Sequence, residues 1–181
     1  MKNRDRSILN CSSKGAAVGA PTDEQQLISP PSHHQTGIWG ENLVVEWLQR
    51  QGWQILHQRW RCRWGELDII ALGPELELDI DPYTPSCPTL IFVEVKTRRR
   101  GNWDADGILA VSVAKQAKLW QAAQMFLSDR PDLANCSCRF DVALVRCEIA
   151  QVGSQPEPPL GAAIGGYCLT LQDYIESAFS L

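Results

Sequence analysis

Two acidic residues lie inside apolar segments, where a charged side chain is rarely found without a partner. Asp68 lies in the segment GELDIIAL, and Glu94 lies in LIFVEVK. A buried carboxylate needs a cation, a hydrogen-bond network or a metal ion to offset the loss of its hydration. Lys96 follows Glu94 by two positions. Because alternate side chains of a strand lie on one face, we expect Glu94 and Lys96 to lie side by side.

The two acidic segments could meet if they pair as a hairpin, which would bring Asp68 to the same place as Glu94 and Lys96. Carboxylate oxygens in such a cluster are ligands for Mg²⁺ or Mn²⁺, and a lysine beside them can meet a phosphate group or the attacking water. The alternative is an internal ion pair that fixes the register of the sheet. Glu41 lies at the edge of the apolar face of a predicted helix and could point toward the cluster. Its alternative is a helix-start acid favoured by the helix dipole.

Basic residues are concentrated at two places, although the formal net charge is −4. Residues 37–149 hold 13 Lys and Arg against 15 Asp and Glu, or 13 against 11 without the four acids of the 73–89 segment. The two groups are Arg59, Arg61 and Arg63, and Arg98, Arg99 and Arg100. Local patches govern phosphate attraction, so we predict that these arginines contact nucleic acid. Solvated arginines at a strand end are the alternative.

Hydrophobic periodicity predicts the elements that position these residues. We expect helices from Gly37 to Gly52, over 108–127 and from Asp173, and strands at 53–60, 66–72, 90–97, 139–147 and 167–171. The run LIFVEV is typical of a central strand that is buried on both faces. The core order α-β-β-β-α-β predicts an α/β domain with a mixed central sheet flanked by helices.

The 181 residues suffice for one domain with tails. Residues 1–36 lack periodicity and predict a flexible N-terminal extension. Residues 37–181 then form the domain, with an acidic loop at 73–89 and a Gly/Pro-rich loop at 150–166.

Composition excludes several classes of protein. No apolar run reaches the roughly 20 residues that cross a bilayer, and the first fourteen residues lack the apolar stretch of a secretory signal. The seven cysteines include no Cys-x-x-Cys pair, so neither a disulfide framework nor a zinc site is expected. Cys136 and Cys138 are expected to be inert thiols. A reducing cytoplasm is the predicted location.

Three tryptophans lie beside basic residues, namely Trp60, Trp64 and Trp103. Packing or loop anchoring is the favoured interpretation for them. Stacking on unpaired bases is the alternative.

Several motifs occur in a fixed order over residues 37–148: GxxGE, LxxxGWxIL, WRxRxGELDIIA, LIFVEVKTR and RFDV. With the ending YIESAF at 174–179, they resemble the YraN-type family. That family is similar to archaeal Holliday-junction resolvases and type II restriction enzymes of the PD-(D/E)XK nuclease superfamily. The resemblance implies a restriction-endonuclease-like fold and an Mg²⁺- or Mn²⁺-dependent endonuclease. It is more specific for the family than for the activity.

The resemblance also implies roles for individual positions. Asp68 and Glu94 match the metal-binding acids, Lys96 matches the lysine that activates water and stabilises charge on the phosphate, and Glu41 matches a helix-one acid that helps to hold a metal or water. Lys115 and Gln116 fall where related enzymes place a polar residue near the site. Arg139 and Asp141 match a strand motif whose role is structural.

Three functions remain open. The first is a metal-dependent phosphodiesterase acting on DNA, in which the acids hold the metal and Lys96 supplies positive charge. The second is a nucleic-acid-binding module without turnover, because a fold does not fix a function. The third is a protein-interaction adaptor in which Asp68, Glu94 and Lys96 form an internal ion-pair network. A homodimer is an open alternative, since resolvase-like relatives cut two strands as dimers, and no membrane partner is expected.

Overall fold

The six strands of the described residues form one mixed sheet, and a helix lies on each of its faces. The structure is a computed structural model that describes residues 30–74, 88–99, 111–150 and 161–180. The helices are α1 (His33–Arg50) and α2 (Val113–Ser128). The strands are β1 (Gln54–Cys62), β2 (Gly65–Leu72), β3 (Leu90–Arg99), β4 (Cys138–Ile149), β5 (Gly161–Ile164) and β6 (Tyr167–Phe179).

The strand order in the sheet is β1-β2-β3-β4-β6-β5. Only β3 and β4 run parallel, and α2 lies in the connection between them; the other neighbouring pairs are antiparallel. A parallel pair needs such a crossover, whereas β1, β2 and β3 follow one another as antiparallel neighbours. The predicted order α-β-β-β-α-β and the mixed α/β class are confirmed, and the architecture is compatible with a restriction-endonuclease-like fold.

The sheet separates two apolar cores. Leu90 and Phe92 of β3 pack in the cluster that contains residues of α2, whereas Ile91 and Val93 pack in the cluster that contains residues of α1. All four of these side chains are buried, as predicted for a central strand. Strict alternation along β3 therefore holds both helices against the sheet.

Helix α1 begins at His33 rather than at Gly37. Ser32 caps it, and its hydroxyl accepts a hydrogen bond from the backbone N–H of Gln35 at 3.1 Å. The last residues of the predicted extension, 33–36, are therefore helical. Gly40 lets α1 approach β3 closely, because a Cβ atom at this position would lie 2.0 Å from Oγ1 of Thr97.

The prediction of a C-terminal helix from Asp173 is wrong. Strand β6 stays paired with β4 as far as Phe179, which lies opposite Phe140. Two register shifts in this pairing change which residues face each core. Ile175 and Phe179 consequently pack toward the α2 side and Tyr174 toward the α1 side, a spacing that imitates the period of a helix.

The buried carboxylate of Asp141 holds the end of β6. It accepts hydrogen bonds from the backbone N–H of Ser177 at 2.9 Å, from the Tyr174 hydroxyl at 2.8 Å and from Nε of Arg139 at 3.1 Å. Ser177 has a φ of 49° and directs its N–H to the carboxylate instead of to a neighbouring strand. These contacts replace the regular ladder where the register shifts.

A short edge strand, β5, lies at the end of the region predicted as a Gly/Pro-rich loop. Gly165 and Gly166 connect it to β6 as a two-residue turn with φ values of 55° and 79°. Positive φ at both turn residues is typical of the type I′ hairpin, for which consecutive glycines are favourable. Residues 1–29 of the extension, 75–87 of the acidic loop and 151–160 of the Gly/Pro-rich loop lie outside the described residues.

One of the described cysteines departs from the expectation of reduced thiols. Cys136 is disulfide-bonded, whereas Cys62, Cys138, Cys147 and Cys168 are free. The expectation that Cys136 is an inert thiol is therefore wrong. In the described parts of the chain, no helix is both long and apolar enough to cross a membrane.

Candidate active site

Asp68 and Glu94 lie where β2 and β3 separate. The last paired residues of these two strands at this end are Ile69 and Val93, so Asp68 and Glu94 occupy the next positions. Oδ2 of Asp68 accepts a hydrogen bond from the backbone N–H of Val95 at 2.8 Å. This side-chain contact takes the place of a ladder hydrogen bond, and it holds the Asp68 carboxylate between the two strands.

Glu94 is the most buried acid of the cluster, with a side chain that is 4% exposed. Its Oε1 atom lies 2.5 Å from Nζ of Lys96 and 3.3 Å from Nζ of Lys115, which α2 contributes. Its Oε2 atom is also buried but has no hydrogen-bond partner among the described residues. One oxygen of Glu94 is thus shared by two ammonium groups, and the other is free to accept a further ligand.

The pKa of Asp68 is raised from 3.8 to about 7, first by burial and then by the negative charge of Glu94. The charge of Glu41 acts in the same direction. The hydrogen bond from Val95 and the charge of Lys115 oppose this rise but do not cancel it. Loss of hydration and a neighbouring like charge both disfavour the ionised carboxyl group. The Asp68 carboxylate is therefore held near its titration midpoint at neutral pH.

Glu41 reaches the same region from α1. Burial raises its pKa, and the nearby guanidinium of Arg59 opposes that rise. Nε of Arg59 lies 3.6 Å from Oε2 of Glu41 and 2.7 Å from Oε1 of Glu66. Arg59 has a φ of 56°, which is unfavourable for a residue with a side chain. Arg59 links Glu41 to Glu66. The charge of Glu94 raises the pKa of both Glu41 and Asp68, so the four acids lie within electrostatic reach of one another.

The remaining arginines predicted to contact nucleic acid are dispersed. Arg61 is paired with Glu66 at 3.0 Å, and Arg63 lies over the ring of Trp64. The guanidinium of Arg98 contacts the carbonyl oxygen of Thr97 at 3.4 Å. Arg99 donates to the carbonyl oxygen of Pro31, and Arg100 lies outside the described residues.

The side-chain amide of Gln116 donates to the carbonyl oxygen of Val111 at 3.0 Å, and no contact with the acidic cluster is seen among the described residues. Lys115 does reach the cluster, as described above. Of the twelve residues predicted for the site, the structure therefore brings together Glu41, Arg59, Asp68, Glu94, Lys96 and Lys115.

Glu66 belongs to the site and was missed by the sequence analysis. Its pKa is lowered by the hydrogen bonds from Arg59 and Arg61, which outweigh the effect of its burial. A signal for Glu66 was present, since it precedes Asp68 by two positions in GELD and alternate residues of a strand share a face.

The chain is similar to a known protein family. The sequence profile described as "Uncharacterised protein family UPF0102", the YraN family, matches residues 40–145. A UPF0102 protein of Trichodesmium erythraeum (strain IMS101) is 52% identical over 159 residues, which cover 80% of this chain and 88% of the relative. A UPF0102 protein of Acaryochloris marina (strain MBIC 11017) is 48% identical over 161 residues, covering 81% and 91%. One from Nostoc sp. (strain PCC 7120) is 44% identical over 148 residues, covering 82% and 96%.

The chain belongs to family UPF0102. The matched segment contains all four acids and both lysines of the cluster, whereas residues 1–39 lie outside it. The family's description assigns no activity, so the chemistry of the site has to be argued from its residues.

The donor set of the cluster fits a hard divalent cation in part. Asp68 and Glu94 offer carboxylate oxygens, which Mg²⁺ and Mn²⁺ prefer, and Oε2 of Glu94 is a buried acceptor without a partner. Among the described residues, however, no three His, Cys, Asp or Glu side chains form a group that could hold a metal ion. Mg²⁺ is commonly held by one or two carboxylates, with water and phosphate as its other ligands. Asp68 and Glu94 fit a site of that kind.

Proposed function

We propose that this protein is a metal-dependent endonuclease that hydrolyses phosphodiester bonds of nucleic acid, with DNA as its substrate. The observation that supports the proposal is the pair of buried, mutually repelling carboxylates at the point where β2 and β3 separate, with two lysines beside them. Perturbed acids and an unpartnered buried oxygen are typical of catalytic sites. If the cluster were only a structural ion pair, each of its buried carboxylate oxygens would be expected to have a hydrogen-bond partner.

In this proposal Asp68 and Glu94 hold Mg²⁺ or Mn²⁺. Such an ion would polarise a phosphate oxygen and lower the pKa of its bound water. Cation binding would also favour the ionised form of Asp68, because a positive charge offsets the repulsion that raises the pKa of this residue.

The lysines act on the phosphate. Lys96 and Lys115 both contact Oε1 of Glu94, which fixes the positions of their ammonium groups. Positive charge that is already in place stabilises the charge that develops on the phosphoryl oxygens in the transition state. Glu41, oriented by Arg59, positions water or a further ligand at the α1 side of the cluster.

Metal binding and cleavage together test this proposal. Titration calorimetry with Mn²⁺ and Mg²⁺ is expected to show one site in the wild type and none in the Asp68→Asn/Glu94→Gln variant. Asp132→Asn is the matched control, because Asp132 is an exposed acid that pairs with Arg130. Incubation with single-stranded, nicked and branched DNA is expected to give metal-dependent products.

Lys96→Met tests the role of the lysine. We expect loss of cleavage with the melting temperature and the metal affinity retained. Full cleavage by Lys96→Met or by Asp68→Asn would show that the proposed chemistry is wrong.

A second function is a nucleic-acid-binding module without turnover. The finding that favours it is the absence, among the residues described by the structure, of any group of three possible metal ligands. This function predicts DNA affinity that falls steeply with added salt and needs no divalent ion. Binding without cleavage of any substrate, unchanged in Asp68→Asn, would select the module over the enzyme.

We also propose that the protein is located in the cytoplasm, and cell fractionation would test this location. We further propose that the protein forms a homodimer, as is expected of an enzyme that cuts two strands. Sedimentation velocity on the full chain, with and without DNA, checks the oligomeric state.

A further inference from the structure

Trp64 lies in the turn between β1 and β2 and is a large apolar side chain exposed to solvent. It is 38% exposed, and the guanidinium of Arg63 lies 5.1 Å from the centre of its ring. Exposure of an indole costs free energy, since burial of aromatic surface is favourable. Trp60, four positions earlier, shows the alternative arrangement, because its ring packs against Phe126 at 5.5 Å. Packing against Phe126 therefore accounts for Trp60, whereas Trp64 keeps more than a third of its surface exposed.

Trp64 is among the residues that line two cavities. The first has a volume of about 430 Å³ and is lined by Arg63, Trp64 and the outer residues of α2 such as Gln121 and Met125. The second has a volume of about 220 Å³ and is lined by Trp64, Lys115 and Lys118, among others. Among the described lining residues, Trp64 alone belongs to both cavities. The two cavities thus adjoin each other at Trp64.

The smaller cavity adjoins the acidic cluster. Lys115 lines this cavity and also lies 3.3 Å from Oε1 of Glu94. Glu66, the acid in its lining, is paired with two arginines, whereas Lys118 brings a further positive charge. The cavity is therefore lined by an aromatic residue and two lysines, one of which, Lys115, also contacts the Glu94 carboxylate.

We propose that Trp64, Lys115 and Lys118 form a subsite for one unpaired nucleotide, with its base stacked on Trp64 and its phosphate held by the lysines. The inference rests on the proposed function and narrows its substrate to nucleic acid with unpaired bases next to the scissile bond. An aromatic ring beside basic groups is the usual platform for single-stranded nucleic acid, because every base presents a π face. Paired bases inside a duplex cannot reach such a ring without leaving the stack.

Binding of a fluorescein-labelled thymidine oligonucleotide, compared with a blunt duplex of equal length, tests the subsite. Fluorescence anisotropy is measured in a chelator and, separately, in Ca²⁺. Trp64→Ala should weaken single-strand binding by about 5- to 150-fold, the range for loss of one stacked base, and leave duplex binding unchanged. Trp64→Phe should restore most of the affinity. Trp120→Ala is the matched control, since Trp120 is 37% exposed but packs on Phe140.

The outcomes separate this inference from the proposed function. If the wild type binds neither oligonucleotide in either buffer, the proposed function fails and the subsite fails with it. If the wild type binds but Trp64→Ala binds equally well, or loses single-strand and duplex affinity alike, the subsite is wrong and the proposed function stands. If Trp120→Ala weakens single-strand binding as much as Trp64→Ala does, the effect belongs to α2 packing and the subsite is again wrong.

Discussion

The Asp68 carboxylate should destabilise the folded chain at neutral pH, so its replacement by asparagine should stabilise the protein. Asparagine has nearly the same shape, carries no charge and can still accept the hydrogen bond from the N–H of Val95, which is 2.8 Å long in the structure. The substitution therefore removes the ionisation of Asp68 and little else. Replacing a buried, repelled charge by a neutral isostere removes its desolvation cost.

The size and sign of the effect follow from the pKa of Asp68, which is 3.8 for an exposed aspartate and about 7 in the folded chain. Between these pH values the folded chain holds a proton that the unfolded chain has lost. The free energy of unfolding of the wild type therefore falls as pH rises through this window. A shift of about three pKa units corresponds to about 4 kcal/mol. We expect Asp68→Asn to gain about that much relative to wild type between pH 4 and pH 8.

Urea unfolding at several pH values, in a chelating buffer so that no divalent ion is bound, measures this difference. Asp132→Asn is the control, because the pKa of Asp132 is lowered by its hydrogen bond with Arg130. The unfolding free energy of this control should keep a constant difference from wild type between pH 6 and pH 8. A difference between Asp68→Asn and wild type that does not change with pH, or a net loss of stability in Asp68→Asn that grows with pH, would refute the reasoning.

Four further outcomes are expected. Gly40→Ala should lose about 1–3 kcal/mol in urea unfolding, because the new methyl group would lie 2.0 Å from Oγ1 of Thr97. Thr97→Ala in the same chain should restore much of this loss, whereas no recovery would show that the helix does not approach β3 so closely. Asp141→Ala should lose about 3–5 kcal/mol, because Arg139 would keep only Glu176 as a carboxylate partner and the Tyr174 hydroxyl and Ser177 N–H would lose their acceptor. Hydrogen exchange should rise first at the end of β6. Arg59→Gln should raise the pKa of Glu41 in a carboxyl NMR titration, because this guanidinium lowers it; an unchanged pKa would contradict the 3.6 Å contact.

The centre of the site could be predicted from the sequence because strand geometry is simple. Two-residue alternation places Glu94 beside Lys96, and adjacency in the chain makes β2 and β3 an antiparallel pair. Asp68 and Glu94, the two acids in apolar segments, were therefore expected to lie close together between these two strands. The contribution of Lys115 could not be derived in this way, because it depends on how α2 lies across the sheet.

The predictions that differ from the structure involve features that hydrophobic periodicity does not reveal. The register shifts between β4 and β6 interrupt the regular alternation of side chains near Ile175 and Phe179. The sequence of this strand consequently has the apolar spacing of a helix. The sequence analysis grouped Arg98 and Arg99, which lie at the end of β3, because they are neighbours in sequence. Successive residues of a strand point to opposite faces, and Arg99 accordingly turns to the carbonyl oxygen of Pro31 rather than to the side of Lys96.

The acidic cluster contributes unfavourably to stability, which argues against the hypothesis that it is only an internal ion-pair network in a protein-interaction adaptor. An internal ion-pair network that served only to hold the sheet would satisfy its buried oxygens. Here Oε2 of Glu94 and Oε2 of Glu41 lack hydrogen-bond partners among the described residues, and Asp68 is held far from its ordinary pKa. Proteins retain such unfavourable groups where activity needs them, at a cost in stability.

One variant therefore separates the two roles. If the cluster is an active site, Asp68→Asn should be more stable than wild type at pH 8. It should also fail to bind Mn²⁺ and fail to cleave DNA. If the cluster is only a structural network, the same substitution should lower stability and leave the binding of partners unchanged. Stability and metal affinity move in opposite directions only in the first case, because the charge that disfavours folding is the charge that holds the ion.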